Sequence, residues 1–317
     1  MSRKFYRQLS MLNRFSLAKL SHQARWRLLL LPYALGIILL VVIPALLSFG
    51  LAFFHYDALS PPVWAGTLNF VLAYTDELFT LSVRNSLSLI LIPVPLRVLG
   101  AFLLARLMQG NSRSRSRFLT WFRSIIYLPT VVPAAAFALA WLWILNPLYG
   151  PLNLLLQAIG LNPPAWLVDP VWAKPALVLM GLWQIGEGFI VSLAALYDIP
   201  AELEDAARID GAGSGALLGR VILPLIAPIL LLLAFRDAIF TFQESFTHIY
   251  LMTQGGPYYA TYTLPFFIYE QGFDLRAFGP ASAAMWVMYA LTGLIVAALY
   301  VIARQWRIGT TEETFVL

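Results

Sequence analysis

The sequence predicts an all-α integral membrane protein with six transmembrane helices, and three observations carry that expectation. The 317-residue chain is 60% hydrophobic and only 12% charged, with a mean hydropathy of +0.75. A soluble domain carries about 25% charged residues, because its whole surface faces water; a lipid-facing surface removes that need. Six apolar stretches run over about 28–54, 81–107, 124–145, 175–197, 222–252 and 281–303. Each reaches the ~20 residues that a helix needs to cross ~30 Å of hydrocarbon, and helices are the expected form because backbone polar groups in lipid must be satisfied internally. The third observation is where the basic residues fall. Arg3, Lys4, Arg7, Arg14, Lys19, Arg25 and Arg27 precede the first stretch, and Arg106, Arg113, Arg115, Arg117 and Arg123 cluster between the second and third. The segment between the first two stretches has no Lys or Arg and carries Asp57, Asp76 and Glu77. Positive residues mark the cytoplasmic side. Both termini and the loops 108–123 and 198–221 are therefore expected inside, and Arg304 and Arg307 agree with that placement.

Taken in order, the elements form one membrane domain, 28–306, between a basic cytosolic segment, 1–27, and a cytosolic tail, 307–317. The first apolar run exceeds the 7–15 residues of a signal-peptide core and has no clear small-residue cleavage site, so it is expected to stay as a helix. Pro93 and Pro95 in the second stretch, Pro129 and Pro133 in the third, and Pro224 and Pro228 opening the fifth are candidate kinks, tolerated where neighbouring helices re-satisfy the freed carbonyls. No repeat of the kind that builds many secondary transporters is visible. The outward segment 146–174 is leucine-rich and is expected to hold a short interfacial helix. Its Trp166 and Trp172 fit an interfacial aromatic belt, with stacking on a sugar as the alternative.

What the sequence lacks narrows the function. The net charge of +5 follows membrane topology and does not point to nucleic acid. There are no cysteines, so disulfide and thiolate chemistry are excluded. The lysines are Lys4, Lys19 and Lys174, and none follows a glycine, so no phosphate-cradling P-loop is present. His22, His55 and His248 lie far apart and do not form a zinc-hydrolase pattern. There is no Gly-x-Ser-x-Gly elbow either. No cofactor or metal is expected. If the protein pumps a solute, its energy comes from an ion gradient or from a partner.

The most informative stretch runs from Asp198 to Pro228. Pro200 suits a first helical turn, where its missing N–H costs nothing. Glu202, Glu204 and Asp205 sit near the positive end of the helix dipole, and Arg208 comes late. Gly211 is placed to end the helix in the left-handed conformation. Leu203, Ala206 and Ala207 give a small apolar face. Glu202, Glu204, Asp205 and Asp210 outnumber Arg208 and Arg220. Anionic lipid would repel such a helix, which leaves a protein partner or a solvated connector.

This stretch resembles the "EAA" loop of the permeases of bacterial ABC importers, in which Glu-Ala-Ala is followed after three residues by Gly and after nine more by Ile-x-Leu-Pro. Here Asp205-Ala206-Ala207 precedes Gly211 and then Val221-Ile222-Leu223-Pro224 at the same spacing, with Asp for Glu and Val for Ile. Ile199-Pro200 and Asp210-Gly211-Ala212 are also similar to the family. The likeness extends over about 28–305, through Tyr127-Leu128-Pro129, Tyr149-Gly150-Pro151-Leu152-Asn153, Trp166 to Pro170, Thr253 to Pro257 and Phe278 to Ala283. It favours carbohydrate-type permeases, of the maltose and glycerol-3-phosphate kind. The resemblance implies an ABC importer type I permease fold in the bacterial cytoplasmic membrane. It implies a sister permease, two ATP-binding subunits docked on the cytoplasmic loops, and an extracytoplasmic solute-binding protein. ATP hydrolysis would belong to the partner. The ATPase-coupling residues would be Glu202, Leu203, Asp205, Ala206, Ala207, Asp210, Gly211, Ala212, Val221, Leu223 and Pro224.

Ionisable residues deep in membrane spans are functional candidates by default. Glu187 lies between two glycines at the centre of the fourth stretch. In the fifth, Arg236, Asp237, Thr241, Gln243, Glu244, Thr247 and His248 recur at helical spacing. Such a stripe suits a polyhydroxylated solute, and Arg97 could pair with one of its carboxylates. The alternative is helix-to-helix glue, since intramembrane polar residues do both. A secondary transporter or channel using Glu187, Asp237 and Glu244 is the other functional reading.

Overall fold

The computed structural model describes residues 21–110 and 117–306. The expected terminal segments, apart from 21–27, and Arg113 and Arg115 of the basic loop lie outside the described residues. The described chain is mostly helical, and four helices are long and apolar enough to cross a membrane: Trp26–Leu51, Glu77–Gln109, Ser214–Phe242 and Phe278–Ile302. Two bent pairs each qualify if read as one span, Trp121–Val131 with Ala134–Ile144 and Pro170–Trp183 with Gly186–Tyr197. The six apolar stretches coincide with these four helices and two pairs.

The third stretch is not the single helix that 124–145 suggests. It turns by 104° between its halves. Pro133 takes an extended backbone (φ −57°, ψ 140°) just ahead of Ala134–Ile144. A proline has no N–H to continue the preceding helix, and it pushes the residue before it out of the α region. Pro129, four residues earlier, stays inside its helix. The fourth stretch bends by a milder 47° at Gln184 and Ile185. The second begins earlier than expected because Asp76 caps it, accepting from the Leu78 and Phe79 N–H groups.

The centre of the molecule is formed by Pro93–Gly110, Gly186–Tyr197 and Leu223–Met252. Ala101, Phe102 and Ala105 meet Phe189, Leu193, Leu196, Ile222 and Ile226 in one buried cluster. Small residues let these backbones approach, as between membrane helices generally; a Cβ on Gly188 would stand 3.2 Å from that of Ala101. A second cluster joins Phe137, Trp141, Leu145, Ala176, Met180 and Ile249. A third, Phe79, Tyr262, Leu264, Phe267 and Ala284, fastens Leu264–Tyr269 between the second and last spans. The first span stands apart. None of its most apolar window is buried, and its end is held by an edge contact of Phe49 on Trp286 at 4.9 Å. Outside the spans lie a ribbon of Phe54–His55 paired with Val63–Trp64 and the expected short helix, Pro151–Ala158.

Candidate functional site

Two groups of residues stand out. The first is the segment between the fourth and fifth spans. Ala201–Ile209 is a helix with Pro200 as its N-cap, one position earlier than a first-turn proline. Gly211 has φ +83°. The Gly211 N–H donates to the Arg208 carbonyl at 3.0 Å, and the Ala212 N–H to the Ala207 carbonyl at 2.9 Å. That pair of bonds is the Schellman ending, which glycine permits without a Cβ clash. The helix has two faces. Glu204 and Ala207 turn inward, with Ala207 against the central cluster. Glu202, Asp205, Ala206 and Asp210 are exposed, and Ile209 is 86% exposed. Leu203 borders an apolar groove with Val191, Ala195 and Ile226. Val221 and Leu223 pack inward, whereas Pro224 is exposed. The acidic residues thus divide. Glu202, Asp205 and Asp210 face outward, and Glu204 is committed to Arg106.

The second group lies in the middle of the spans. Arg97 Nε is 3.4 Å from Asp237 Oδ2. Arg236 donates to Asp237 Oδ1 at 3.0 Å and, with its other terminal nitrogen, to Glu187. The Arg236 guanidinium also sits 4.8 Å from the centre of the Phe240 ring, a cation–π distance. Two cations and two carboxylates therefore neutralise each other across three helices. Gly186 is required beside them: a Cβ there would fall 2.5 Å from the Ile126 carbonyl oxygen, where the Arg117–Val131 helix crosses.

Two cavities flank this network. One is lined by Arg97, Gln184, Thr241, Ser245 and His248 together with Leu89, Met180 and Ile249. The other is lined by Arg97, Thr130, Gln184, Glu187, Arg236 and Phe240. The buried His248 Nε2 has no hydrogen-bond partner. Thr241 and Ser245 donate to carbonyls of their own helix, which leaves their oxygen lone pairs free. Of the expected stripe, Thr247 lines neither cavity. The side chains of Gln243 and Glu244 lie outside the described residues. Sequence reading missed Gln184, Thr130 and Ser245. Ser245 falls four residues after Thr241, on the same helical face, and was findable. No group of His, Asp or Glu among the described residues could hold a metal.

Residues 98–308 match the family of binding-protein-dependent transport system inner membrane components. The chain belongs to this family. A similar protein is the probable ABC transporter permease protein YesP of Bacillus subtilis, 30% identical over 280 residues that cover 87% of this chain and 89% of the relative. Another is the lactose transport system permease protein LacF of Rhizobium radiobacter, 29% identical over 76% of this chain and 82% of the relative. A chain of a bacterial ABC transporter involved in the import of the acidic polysaccharide alginate superposes with a TM-score of 0.74. It is 25% identical and covers 91% of this chain and 98% of that one. The protein is a membrane-embedded permease subunit of an ABC transporter and not an enzyme.

Trp166 and Trp172 of the permease are held by neighbours within the 146–174 segment. The Trp166 indole N–H donates to the buried Asn153 Oδ1 at 2.7 Å, and its ring meets Trp172 edge-on at 5.4 Å. A second polar anchor escaped sequence reading. Asn85 donates to the Tyr259 and Tyr262 carbonyls, each at 2.9 Å, and accepts from Lys174 at 2.7 Å. Beside it, Ser86 accepts from the Leu264 N–H at 2.8 Å. Ser82, Asn85 and Ser86 recur at helical spacing on the buried face, so a polar stripe was visible in the sequence, but its partners, 174, 177 and 178 residues away, were not.

Proposed function

We propose that this permease is one half of the translocation path of a bacterial inner-membrane importer for a sugar or sugar-like solute. It crosses the membrane six times, with both termini and the 198–221 loop in the cytoplasm. A sister permease forms the other half, two ATPase subunits bind the cytoplasmic loops, and an extracytoplasmic binding protein delivers the solute. The observation that carries the coupling role is the two-faced Ala201–Ile209 helix. Its inner face is fixed to the bundle, while Glu202, Asp205 and the bare Ile209 point away from it. An acidic outer face is repelled by anionic lipid headgroups and so suits a protein partner better than the membrane surface.

The neutral charge network and its two cavities are proposed as part of the solute path. Free acceptors on Thr241 and Ser245 and donors on Arg97 and Gln184 suit hydroxyl groups. The ion-coupled alternative with Glu187, Asp237 and Glu244 is set aside by the family. The lactose permease relative and the alginate importer both favour carbohydrate as the cargo class. The test is uptake in vesicles reconstituted with all subunits. Uptake should require ATP on the side of the 198–221 loop and the ATPase subunit. Uptake by this chain alone, driven by a pH gradient, refutes the assignment.

A further inference from the structure

Arg106 stands near the end of the Pro93–Gly110 helix, 98 residues before Glu204 in sequence. Its guanidinium grips both carboxylate oxygens of Glu204, at 2.9 and 3.1 Å. The pair is largely buried, with side chains 23% and 16% exposed. Arg106 also donates to Gln109, whose amide donates to the Leu196 carbonyl at 2.7 Å. Arg208, on the same helix as Glu204, adds only a 3.6 Å contact and is 62% exposed.

The Ala201–Ile209 helix rests on the central cluster through Ala207 and the preceding Ile199, apolar contacts that are not directional. On one side it is joined through Ile199 and Pro200, and on the other through Gly211 and Gly213, where an added Cβ would meet nothing within 4 Å. A two-pronged guanidinium–carboxylate pair resists rotation as well as separation, because both groups are planar and both hydrogen bonds must bend together. Arg106 and Arg97 lie on one uninterrupted helix. Their separation along it is about 13–14 Å at 1.5 Å per residue. Arg97 in turn reaches Asp237 of the mid-membrane network.

We infer that Arg106 and Glu204 form a latch inside the subunit, making the Ala201–Ile209 and Pro93–Gly110 helices one moving body. A displacement imposed on the loop helix then reaches Arg97 along the Pro93–Gly110 helix, and not only through the loop's chain ends and the apolar contact of Ala207. Both are positioning residues that act through the helices they join. The inference rests on the proposed coupling role of the loop helix.

The natural chain has no cysteine, so a reporter is readily placed in it. In the assembled importer, with its sister subunit freed of cysteines, Ser245→Cys is exposed to an impermeant maleimide from outside, with and without ATP and vanadate. Labelling should rise with nucleotide. Arg106→Glu and Glu204→Arg should each reduce that rise by roughly tenfold, the scale of one well-aligned charge pair, while the ATPase still co-purifies and hydrolyses ATP. The double reversal should restore the rise. Arg106→Lys, which keeps the charge without the fork, should give an intermediate rise and guards against misfolding of the reversals. An undiminished rise in the single variants overturns the latch, as does a double variant no better than the singles. So does loss of ATPase binding in the singles, since it would make the pair a docking element. If the Ser245→Cys permease with Arg106 and Glu204 both intact shows no ATP-dependent labelling, the coupling role itself fails.

Discussion

Glu204 and Asp205 are neighbours with opposite assignments. One is gripped by Arg106 inside the protein, and the other is exposed. Their shared acidity was visible in the sequence, but the division was not, because it depends on Arg106 arriving from a helix 98 residues away. Gly211 is the converse case, since a glycine closing a short charged helix announces a left-handed residue in the sequence itself. Gly211→Val should meet no steric obstacle, because the space around it is open, yet it must hold φ +83°. That conformation costs a branched residue about 1–2 kcal/mol. The expected result is several-fold weaker co-purification of the ATPase subunit with unchanged membrane insertion; unchanged co-purification and transport would count against a coupling loop. Trp166→Phe keeps an aromatic ring, though a smaller one, and removes the N–H, leaving the buried Asn153 oxygen unmet at a cost of about 1–3 kcal/mol. Faster amide exchange over 147–166 with unchanged solute affinity is expected. Lost affinity would instead revive the sugar-stacking role.

At the scale of elements, hydrophobic length located the four long apolar helices and the two bent pairs, and proline marked where the first of those pairs breaks. The 104° turn was not legible, since several prolines of this chain stay inside straight helices. Periodicity also placed Arg236, Asp237 and His248 on one helix without showing which helices would supply their partners. Asp237→Asn tests the network. Its side chain is 9% exposed, and it faces both Arg97 and Arg236. Removing a buried counter-charge costs about 3–5 kcal/mol, and the third-exposed Arg236 places this case near the lower end. A clearly lowered melting temperature in detergent is expected. Ser245→Ala should leave the melting temperature in place and change uptake, which separates the path from the glue. The turn after the first long apolar helix responds to acid. The Ser60 backbone N–H, the Ser60 hydroxyl and the Leu59 N–H all donate to Asp57 and hold its carboxyl down at about 2, from an ordinary 3.8. Because the folded value is the lower one, this stabilisation is present above pH 3.8 and is lost as pH falls through about 2. The Ser60 amide resonance should hold its position at pH 4 and move only as pH approaches 2, and Asp57→Asn should abolish the movement.

For the whole molecule, the topology drawn from basic residues makes a direct prediction. Cysteines placed one at a time at the exposed positions Leu59 and Leu148 should react with an impermeant reagent outside intact cells, and one at Asp205 only after the cells are opened. The reverse pattern would invert the orientation. The first and last spans bury none of their most apolar windows, a surface suited to lipid and to a sister subunit. The anchor at Asn85 and Ser86 has a further consequence, for the assembly of the chain on the ribosome. Their partners Tyr259, Tyr262 and Leu264 follow 174, 177 and 178 residues later. At 5–20 residues per second, that is roughly 10–35 s of synthesis during which the Asn85 NH2 group, meant for burial, lacks both of its native acceptors. The insertion machinery must shelter the newborn second span for that interval, and a nascent chain stalled before Tyr259 would keep displaying the unmet amide as a mark of incompleteness.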